Sequence, residues 1–471
     1  MFHLSVRFRT SLLAVLPLAG LLALPSQATP RPACRAPGQV QSFLTDVPAP
    51  SALRACTIYT GYLTSETHVR VAPDGTVVQQ PAQTVPGVAG TGFLAGAPGP
   101  KPQTQITPAG FAISRNGGRS FGLVYPSGLE WVASDGAIHF DSATGRLYYY
   151  ALSPVVVPQS GGVAVTDQVP AGYAHLMTSD DNGRTWFHTQ APGYVESENP
   201  RFTSGPTPHG GDQPVPGERV AYWCGNTALF AYGQRDCYRT LDGGHTWQLR
   251  STLLRRGVPV HSECGSSEES FDATDGGYPQ AGPDGSLWTL ITCGGKTFLA
   301  RSTDEAATFP VVRPLPTLTE LRVDARGVLY GATVTGTRLE LRTSADQGKT
   351  WSAPVDLVAP ARRGAAIGQW AFALRGPGQA AAAYLTAHKG GGWDGSVTVL
   401  RKGALYAATV HEAKAPLVTS PQAAMDDYID LDVGPDGSAW AAFYGDCGTD
   451  PACATSAQNP MAKIGVLLHL G

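Results

Sequence analysis

Short runs of alternating apolar and polar residues follow one another along most of the chain. Clusters of Gly, Pro, Asp and Asn separate them, helix-forming stretches are scarce, and no heptad pattern is sustained. Such runs predict short β-strands joined by tight turns. The 56 glycines and 38 prolines among 471 residues agree with a fold rich in turns. We therefore expect an all-β protein, long enough for one large domain or two ordinary ones.

One polar turn that ends in an aromatic residue occurs five times. The copies are SRNGGRSF from Ser114, SDDNGRTW from Ser179, TLDGGHTW from Thr240, STDEAATF from Ser302 and SADQGKTW from Ser344. In the shared pattern, an Asp or Asn side chain accepts backbone hydrogen bonds, a Gly allows a positive φ, and hydroxyls satisfy other turn groups. We expect the closing aromatic residue to pack inward. This structural role falls to Asn116, Asp181, Trp186, Asp242, Trp247, Asp304, Asp346 and Trp351.

A second repeat, a turn followed by an apolar run, lies between the first. APDGTVVQQ, SATGRLYYY, GPDGSLWTL, DARGVLYGA, RGPGQAAAAY and GPDGSAWAAF are its copies, and RVAYWCGNTALFAY fills one gap. Units of roughly 63 residues fit four-stranded propeller blades with one long loop. The sequence predicts a seven-bladed β-propeller, with six blades as the alternative. The units begin near Val69, Ile138, Val220, Tyr278, Leu321, Phe372 and Ile429.

The five turns resemble the Asp-boxes, or bacterial neuraminidase repeats, of sialidase-like β-propellers. The copies from Ser179, Thr240 and Ser344 match the full pattern, whereas Phe121 replaces the Trp in the first copy and Ala306 the Gly in the fourth. The resemblance implies one propeller domain, which we assign to residues 60–471. It also implies that the Asp-boxes lie away from the ligand site, so that their Asp residues are structural.

The family includes exo-sialidases, which use three arginines, a tyrosine nucleophile with a glutamate, and an aspartate acid/base. Their first arginine stands in a Phe/Tyr-Arg-Ile/Leu-Pro motif. This sequence lacks that motif, because Arg70 is followed by Val71 and Ala72. We therefore favour a propeller that binds a glycan or an extracellular protein without sialidase turnover. The alternative is an exo-acting glycoside hydrolase of the sialidase type.

The ligand site is expected at the mouth of the central funnel, where the inner strands begin. Glu130, Asp212, Asp427 and Tyr428 stand at those places in the proposed units. Carboxylates accept hydroxyl protons and rings stack on sugar faces, so such a mouth favours neutral polyols. An acidic sugar would be repelled unless arginines join the site.

The N-terminus predicts export. Arg7 and Arg9 precede the apolar run SLLAVLPLAGLLALP, and the small-residue segment SQA ends at Ala28. This arrangement is typical of a secretory signal over residues 1–28 that is removed near Ala28, which predicts a secreted or periplasmic protein. The run is too short for a membrane span, and no later stretch is long enough. Residues 29–59 are expected to form an N-terminal strap.

Eight cysteines follow the proposed cleavage site, an even number that predicts disulfides in an oxidising compartment. The CxxC and HxxxH spacings of metal sites are missing. Nearest-neighbour pairing is the preferred connectivity among those that the sequence allows. It gives Cys34–Cys56, Cys224–Cys237, Cys264–Cys293 and Cys447–Cys453.

Charge and composition limit the partners. The formal net charge is −3 and no run is rich in Lys or Arg, which argues against nucleic acid as a partner. We expect a monomer with no metal and no cofactor. Calcium is the weaker alternative, because the loop 261–277 is rich in carboxylates. These are Glu263, Glu268, Glu269, Asp272 and Asp275.

Overall fold

The protein is built almost wholly from β-strands in antiparallel sheets. The computed structural model describes residues 36–43, 53–63, 67–80, 111–124, 134–152, 156–159, 162–165, 173–192, 197–227, 234–255, 279–293, 295–316, 318–410, 416–418, 429–446 and 463–471. These residues contain 32 strands, a 3-10 turn at Pro360–Arg362 and no α-helix. No helix in the described ranges is long and apolar enough to cross a membrane.

The chain begins with three strands and then forms the first four blades in order. The N-terminal strands are β1 (Ala36–Gly38), β2 (Gln41–Phe43) and β3 (Ala55–Leu63). Blade 1 has β4 (His68–Val71), β5 (Val77–Gln80), β6 (Phe111–Ser114) and β7 (Gly122–Val124). Blade 2 has β8 (Ser134–Phe140), β9 (Leu147–Leu152), β12 (Tyr173–Ser179) and β13 (Phe187–Pro192), with the inserted hairpin β10 (Val156–Gln159) and β11 (Gly162–Val165). Blade 3 has β14 (Ser197–Gly205), β15 (Val220–Thr227), β16 (Gln234–Thr240) and β17 (Gln248–Arg255). Blade 4 has β18 (Gln280–Ala281), β19 (Leu287–Cys293), β20 (Lys296–Ser302) and β21 (Val311–Leu315).

The last three blades complete the ring. Blade 5 has β22 (Glu320–Val323), β23 (Leu329–Thr335), β24 (Arg338–Ser344) and β25 (Val355–Asp356). Blade 6 has β26 (Ile367–Gly376), β27 (Gln379–Ala387), β28 (Trp393–Arg401) and β29 (Ala404–Val410), with β2 on its outer edge. Blade 7 has β30 (Asp430–Val433), β31 (Ala439–Asp446) and β32 (Lys463–Leu470), then β3 and β1. N-terminal and C-terminal strands thus share one sheet, which closes the propeller. Residues 55–59 belong to β3, so blade 7 includes residues before position 60.

The inner strands of successive blades are neighbours around a central channel, and they are β4, β8, β14, β18, β22, β26 and β30. This arrangement confirms the seven-bladed propeller, and the six-bladed alternative is wrong. One unit boundary is also wrong. Val220 begins the second strand of blade 3, and its inner strand is β14. The error arose because blade 3 has a long connection over 206–219 where other blades have a short Gly turn.

The five repeated turns have the hydrogen bonds expected from their sequence. In the second copy, the Asp181 carboxylate accepts from the Thr185 amide at 2.8 Å and from its hydroxyl at 2.7 Å. The Gly183 amide donates to Ser179 Oγ at 2.8 Å. The same pattern recurs at Asp242, Asp304 and Asp346, and in part at Asn116. The repeated polar residues therefore hold the turns through their own hydrogen bonds.

The glycine in these turns is required by the preceding blade as well as by its own backbone. Gly183 has φ +80°, and a Cβ built there would lie 2.8 Å from Ile113 Cδ1 in blade 1. Gly118, Gly244 and Gly348 likewise lie against the blade before them. In the fourth copy Ala306 adopts φ +64° and is fully buried. Each turn thus packs one blade onto its neighbour.

We expect Gly183→Ala to cost more stability than a positive φ alone explains. Gly364 is the matched control, since its φ is +83° and nothing lies within 4 Å of a methyl group added there. Gly364→Ala should lose about 1–2 kcal/mol from the left-handed backbone. Gly183→Ala should lose about 1–3 kcal/mol more, because the Ile113 contact is overpacked. Denaturant unfolding measures both, and equal losses would contradict docking between blades.

The closing aromatic residues are buried to different extents. Trp247 is only 6% exposed and lies against Tyr148 of blade 2 and Phe202 of its own blade. Trp186 stacks on Phe111 of blade 1 at 5.2 Å between ring centroids, but it is only partly buried. Trp351 is also partly buried. The expected inward packing is therefore complete for Trp247 and partial for the other two.

One disulfide joins neighbouring strands of blade 3, between Cys224 in β15 and Cys237 in β16. Both half-cystines are buried within the apolar cluster shared by blades 3 and 4. Cys56 in β3 is also disulfide-bonded. The remaining predicted pairings involve Cys34, Cys264, Cys447 and Cys453, which lie outside the described residues.

Candidate functional site

A cavity of about 350 Å³ occupies the central channel, and all seven inner strands contribute to its lining. Its polar lining is unlike that of the blades, whose interiors are apolar. Arginines come from blades 1, 3, 5 and 6, and other polar residues stand between them. The main polar positions are Arg70, His139, Arg201, Gln280, Arg322 and Asp432.

Five of these six side chains occupy equivalent places in their blades. In each of the five blades, a backbone amide closes the turn between the first and second strands. The polar residue stands two positions before the residue that supplies this amide. Examples are the bonds from Ala72 N to Thr76 O and from Asp324 N to Val328 O. Because the backbone is the same at each place, the side chains form one level of the channel. The five equivalent residues are Arg70, His139, Gln280, Arg322 and Asp432.

Two of the arginine head groups pair with carboxylates of neighbouring inner-strand positions. The Arg70 guanidinium donates to Asp430 and to Val69 O. Arg322 donates to Glu320 at 2.7 Å and to Leu321 O at 2.9 Å. Glu320 precedes Arg322 by two residues, and Asp430 precedes Asp432 by two residues. Both guanidinium groups therefore turn toward the same end of the channel.

Arg201 is the arginine of β14 in blade 3. Its charge lowers the pKa of both Asp430 and His68, which lie beside the Arg70 guanidinium. Arg201 also lines the cavity. Arginines from blades 1, 3 and 5 therefore line one cavity.

Two of these guanidinium groups keep unfilled donors. Arg70 and Arg322 use Nη1 for the contacts above, and in the described part of the chain their Nε and Nη2 donate no hydrogen bond. Their side chains are 20% and 22% exposed. The Nε–Nη2 edge of arginine matches the two oxygens of a carboxylate, sulfate or phosphate.

The carboxylates of blade 7 are occupied by backbone amides. Asp430 accepts from Val69 N at 3.1 Å and from Leu431 N at 2.8 Å. Asp432 accepts from Val71 N and from Val433 N, each at 2.8 Å. The bonds from Val69 and Val71 connect β4 to β30, and so the first blade to the last.

The titratable groups of the channel have shifted pKa values. Burial alone would raise the pKa of Asp430, but Arg70 and the hydrogen bond from His68 lower it well below its usual range. Burial raises the pKa of Asp432 against the opposing effect of Arg70. Burial also lowers the pKa of His68, and lowers that of His139 to about 4. Both imidazoles are therefore neutral near pH 7, and His139 Nε2 shares a 2.9 Å hydrogen bond with Ser204.

The cavity lies toward the end of the channel where the inner strands finish. Pro73 and Ser142, in the turns that follow β4 and β8, contribute to its wall. The mouth expected from the sequence is at the opposite end, where the inner strands begin. The expected residues Glu130, Asp427 and Tyr428 lie outside the described residues.

Asp212 is described, and the structure places it away from the cavity. It lies in the connection between β14 and β15, its side chain is 67% exposed, and it pairs with Arg239 at 2.9 Å. Arg239 is itself buried against Glu305 of blade 4. The expectation that Asp212 stands at the entrance of an inner strand followed from the misplaced start of blade 3.

Sequence reasoning missed Arg201 and Arg322, and it considered Arg70 only for a motif that the residue does not fit. A signal was present for Arg70 and Arg322. Both stand at the same distance before the Gly of the second repeat, in RVAPDG and RVDARG. Aligning the copies on that Gly also brings in Gln280 and Asp432, whereas His139 stands one residue further from its Gly. Arg201 gives no such signal, because blade 3 lacks the turn.

No family model matches the chain, and no curated protein matches its sequence. Solved structures are similar in fold. A Hadza microbial sialidase, Hz136, is 16% identical with a TM-score of 0.42, over 74% of this chain and 65% of that one. The alpha-L-arabinofuranosidase Arb93A from Fusarium graminearum is 11% identical with a TM-score of 0.40, over 71% and 92%. YCF48 bound to D1 peptide is 12% identical with a TM-score of 0.38, over 82% and 100%. The chain thus spans 65% of the sialidase, and the likeness concerns the propeller fold alone.

Proposed function

We propose that this chain is an exported, sialidase-like propeller with Asp-box turns that binds an acidic glycan in its central channel without hydrolysing it. The observation that carries the proposal is the meeting of Arg70, Arg201 and Arg322 around one cavity. Unfilled donors on two of them supply the directed contacts that an anionic group requires. The signal-like N-terminus and the disulfide support export.

The charge of the channel favours an acidic ligand over a neutral one. Arg70, Arg201, Arg322 and Arg375 line the cavity, together with Asp430 and Asp432. Both aspartates accept hydrogen bonds from strand amides, and Arg70 pairs with Asp430. The sequence predicted a neutral polyol as the ligand, because it predicted carboxylates around the channel. In the structure, arginines outnumber carboxylates among the residues that line the cavity.

The same carboxylates argue against turnover. A glycosidase needs carboxyl groups that can reach the scissile bond and the attacking water or sugar carbon. Asp430 and Asp432 instead accept hydrogen bonds from strand amides that hold blades 7 and 1 together. Among the described residues that line the cavity, none is a tyrosine able to act as a nucleophile.

A hydrolase is the second candidate, because one observation favours it. Asp430 and Asp432 have pKa shifts of opposite sign, a pattern typical of a carboxylate base beside a carboxylic acid. Because the two aspartates stand two positions apart on one strand, the distance between their Cα atoms is about 6–7 Å. In that case Asp432 would act as the acid and Asp430 as the base.

Calorimetric titration and a turnover assay on the pure protein distinguish these functions. We expect galacturonic acid oligomers or sialyllactose to bind, neutral lactose not to bind detectably, and affinity to fall as salt rises. A fluorogenic sialoside or uronide should release no dye. Release that Asp432→Asn abolishes would establish the hydrolase instead, and binding of lactose alone would refute an acidic ligand.

The double variant Glu320→Gln with Arg322→Gln tests the arginines without changing net charge. Removing one directed, charged contact should weaken acidic glycan binding about 10- to 100-fold, as expected for 1.5–3 kcal/mol. The matched control is Arg338→Gln with Glu340→Gln in β24, an outer pair 3.2 Å apart. The control should keep full affinity, and equal binding by both variants would exclude Arg322 from the site.

A further inference from the structure

The three channel arginines are spaced almost evenly around the propeller axis. In a ring of seven, successive blades are about 50° apart, so blades 1, 3 and 5 place them at intervals of roughly 100°, 100° and 150°. The wider interval is filled by Asp430 and Asp432 of blade 7. An anion on the axis would therefore meet guanidinium groups from three sides.

The two arginine edges also belong to blades on different sides of the channel. Within the described residues the Nε–Nη2 edges of Arg70 and Arg322 donate no hydrogen bond, and the two arginines stand on nearly opposite sides of the ring. A planar carboxylate has two oxygens and matches one such edge well. A tetrahedral monoester has three terminal oxygens arranged about its ester bond, so it matches donors on three sides at once.

Neutral polar residues stand between the arginines at the common level. Gln280 lies in blade 4 and His139 in blade 2, where burial lowers the imidazole pKa to about 4. The amide NH₂ of Gln280 is a donor that any oxyanion accepts. The exposed Arg375 at the end of β26 also lines the cavity and lies where the rest of a ligand would leave the channel.

We propose that the anionic group held in the channel is a tetrahedral oxyanion monoester, the sulfate or phosphate ester of a sugar, rather than a carboxylate. The proposal rests on the function proposed above and specifies the chemical class of its ligand. The ester oxygen points along the axis, and the three terminal oxygens face Arg70, Arg201 and Arg322.

One sugar with four different groups at C6 tests this inference. Galactose 6-sulfate, galactose 6-phosphate, galacturonic acid and galactose are titrated into the full protein by calorimetry, in chloride buffer at constant ionic strength. We expect at least one tetrahedral ester to bind 10-fold or more tightly than galacturonic acid, with galactose weakest. The ratio of sulfate to phosphate affinity then identifies which ester is preferred.

The failures of the two proposals can be told apart. If galacturonic acid binds as tightly as both esters, the tetrahedral inference is overturned while acidic glycan binding stands. If none of the three acidic sugars binds better than galactose, both fall. In the Glu320→Gln with Arg322→Gln variant, the ester preference over galacturonic acid should shrink at least threefold. An unchanged preference in a variant with wild-type thermal unfolding would also overturn the inference.

Discussion

Trp247→Ala is expected to lower the free energy of unfolding by about 3–5 kcal/mol, the usual cost of truncating a buried Trp. Trp247 is 6% exposed and contacts aromatic rings of two blades, so the cavity left behind has no easy way to collapse. Trp186→Ala and Trp351→Ala should cost less, because water already reaches part of each ring. Denaturant unfolding followed by circular dichroism ranks the three variants.

The ligand site supplies the control for this prediction. All three tryptophans close turns at the periphery of the blades, so folded variants should bind the acidic glycan with wild-type affinity. Loss of binding at unchanged stability would show that a tryptophan contacts the ligand. A smaller loss at Trp247 than at Trp186 would show that burial does not set the cost.

The fold was predictable because its periodic signals are local. The Asp, Gly and Thr of TSDDNGRTW determine a turn through bonds that span four residues, and the same bonds recur wherever those residues do. Counting the second repeat gave seven blades. The single misplaced boundary, Val220, lies where blade 3 replaces a short turn by the connection over 206–219.

The site was less predictable because its residues come together only through ring closure. Arg70, Arg201 and Arg322 are more than a hundred residues apart from one to the next, and nothing local indicates that they face one cavity. Asp212 attracted attention as an isolated carboxylate near a supposed inner strand. The structure pairs it with Arg239 at the surface instead. Whether a side chain lines the channel of a propeller depends on its position along the inner strand. That position becomes visible only after the repeats of the blades are aligned.

Asp430→Asn is expected to cost about 3–5 kcal/mol near neutral pH, since it leaves the buried end of Arg70 without its counter-charge. The carboxylate also accepts from Val69 N, so its loss weakens the junction between blades 7 and 1. Asp212→Asn is the matched control, because this carboxylate is exposed and its partner Arg239 keeps Glu305, so stability should change by less than about 1 kcal/mol. Comparable losses in both variants would contradict a special role for ring closure.

The pH dependence of stability identifies the Asp430 contribution. Arg70 and His68 hold the pKa of Asp430 below the value of about 3.9 that an Asp has in an unfolded chain. Its stabilisation is therefore complete above pH 4 and is lost as the pH falls below 4, because the unfolded state then binds a proton that the folded state does not. The raised pKa of Asp432 has the opposite effect on the pH dependence of stability, and this effect is present in the wild type and in Asp430→Asn alike. The wild type should thus lose stability more steeply than Asp430→Asn between pH 4 and pH 2, and parallel curves would show that Asp430 is not ionised in the folded ring.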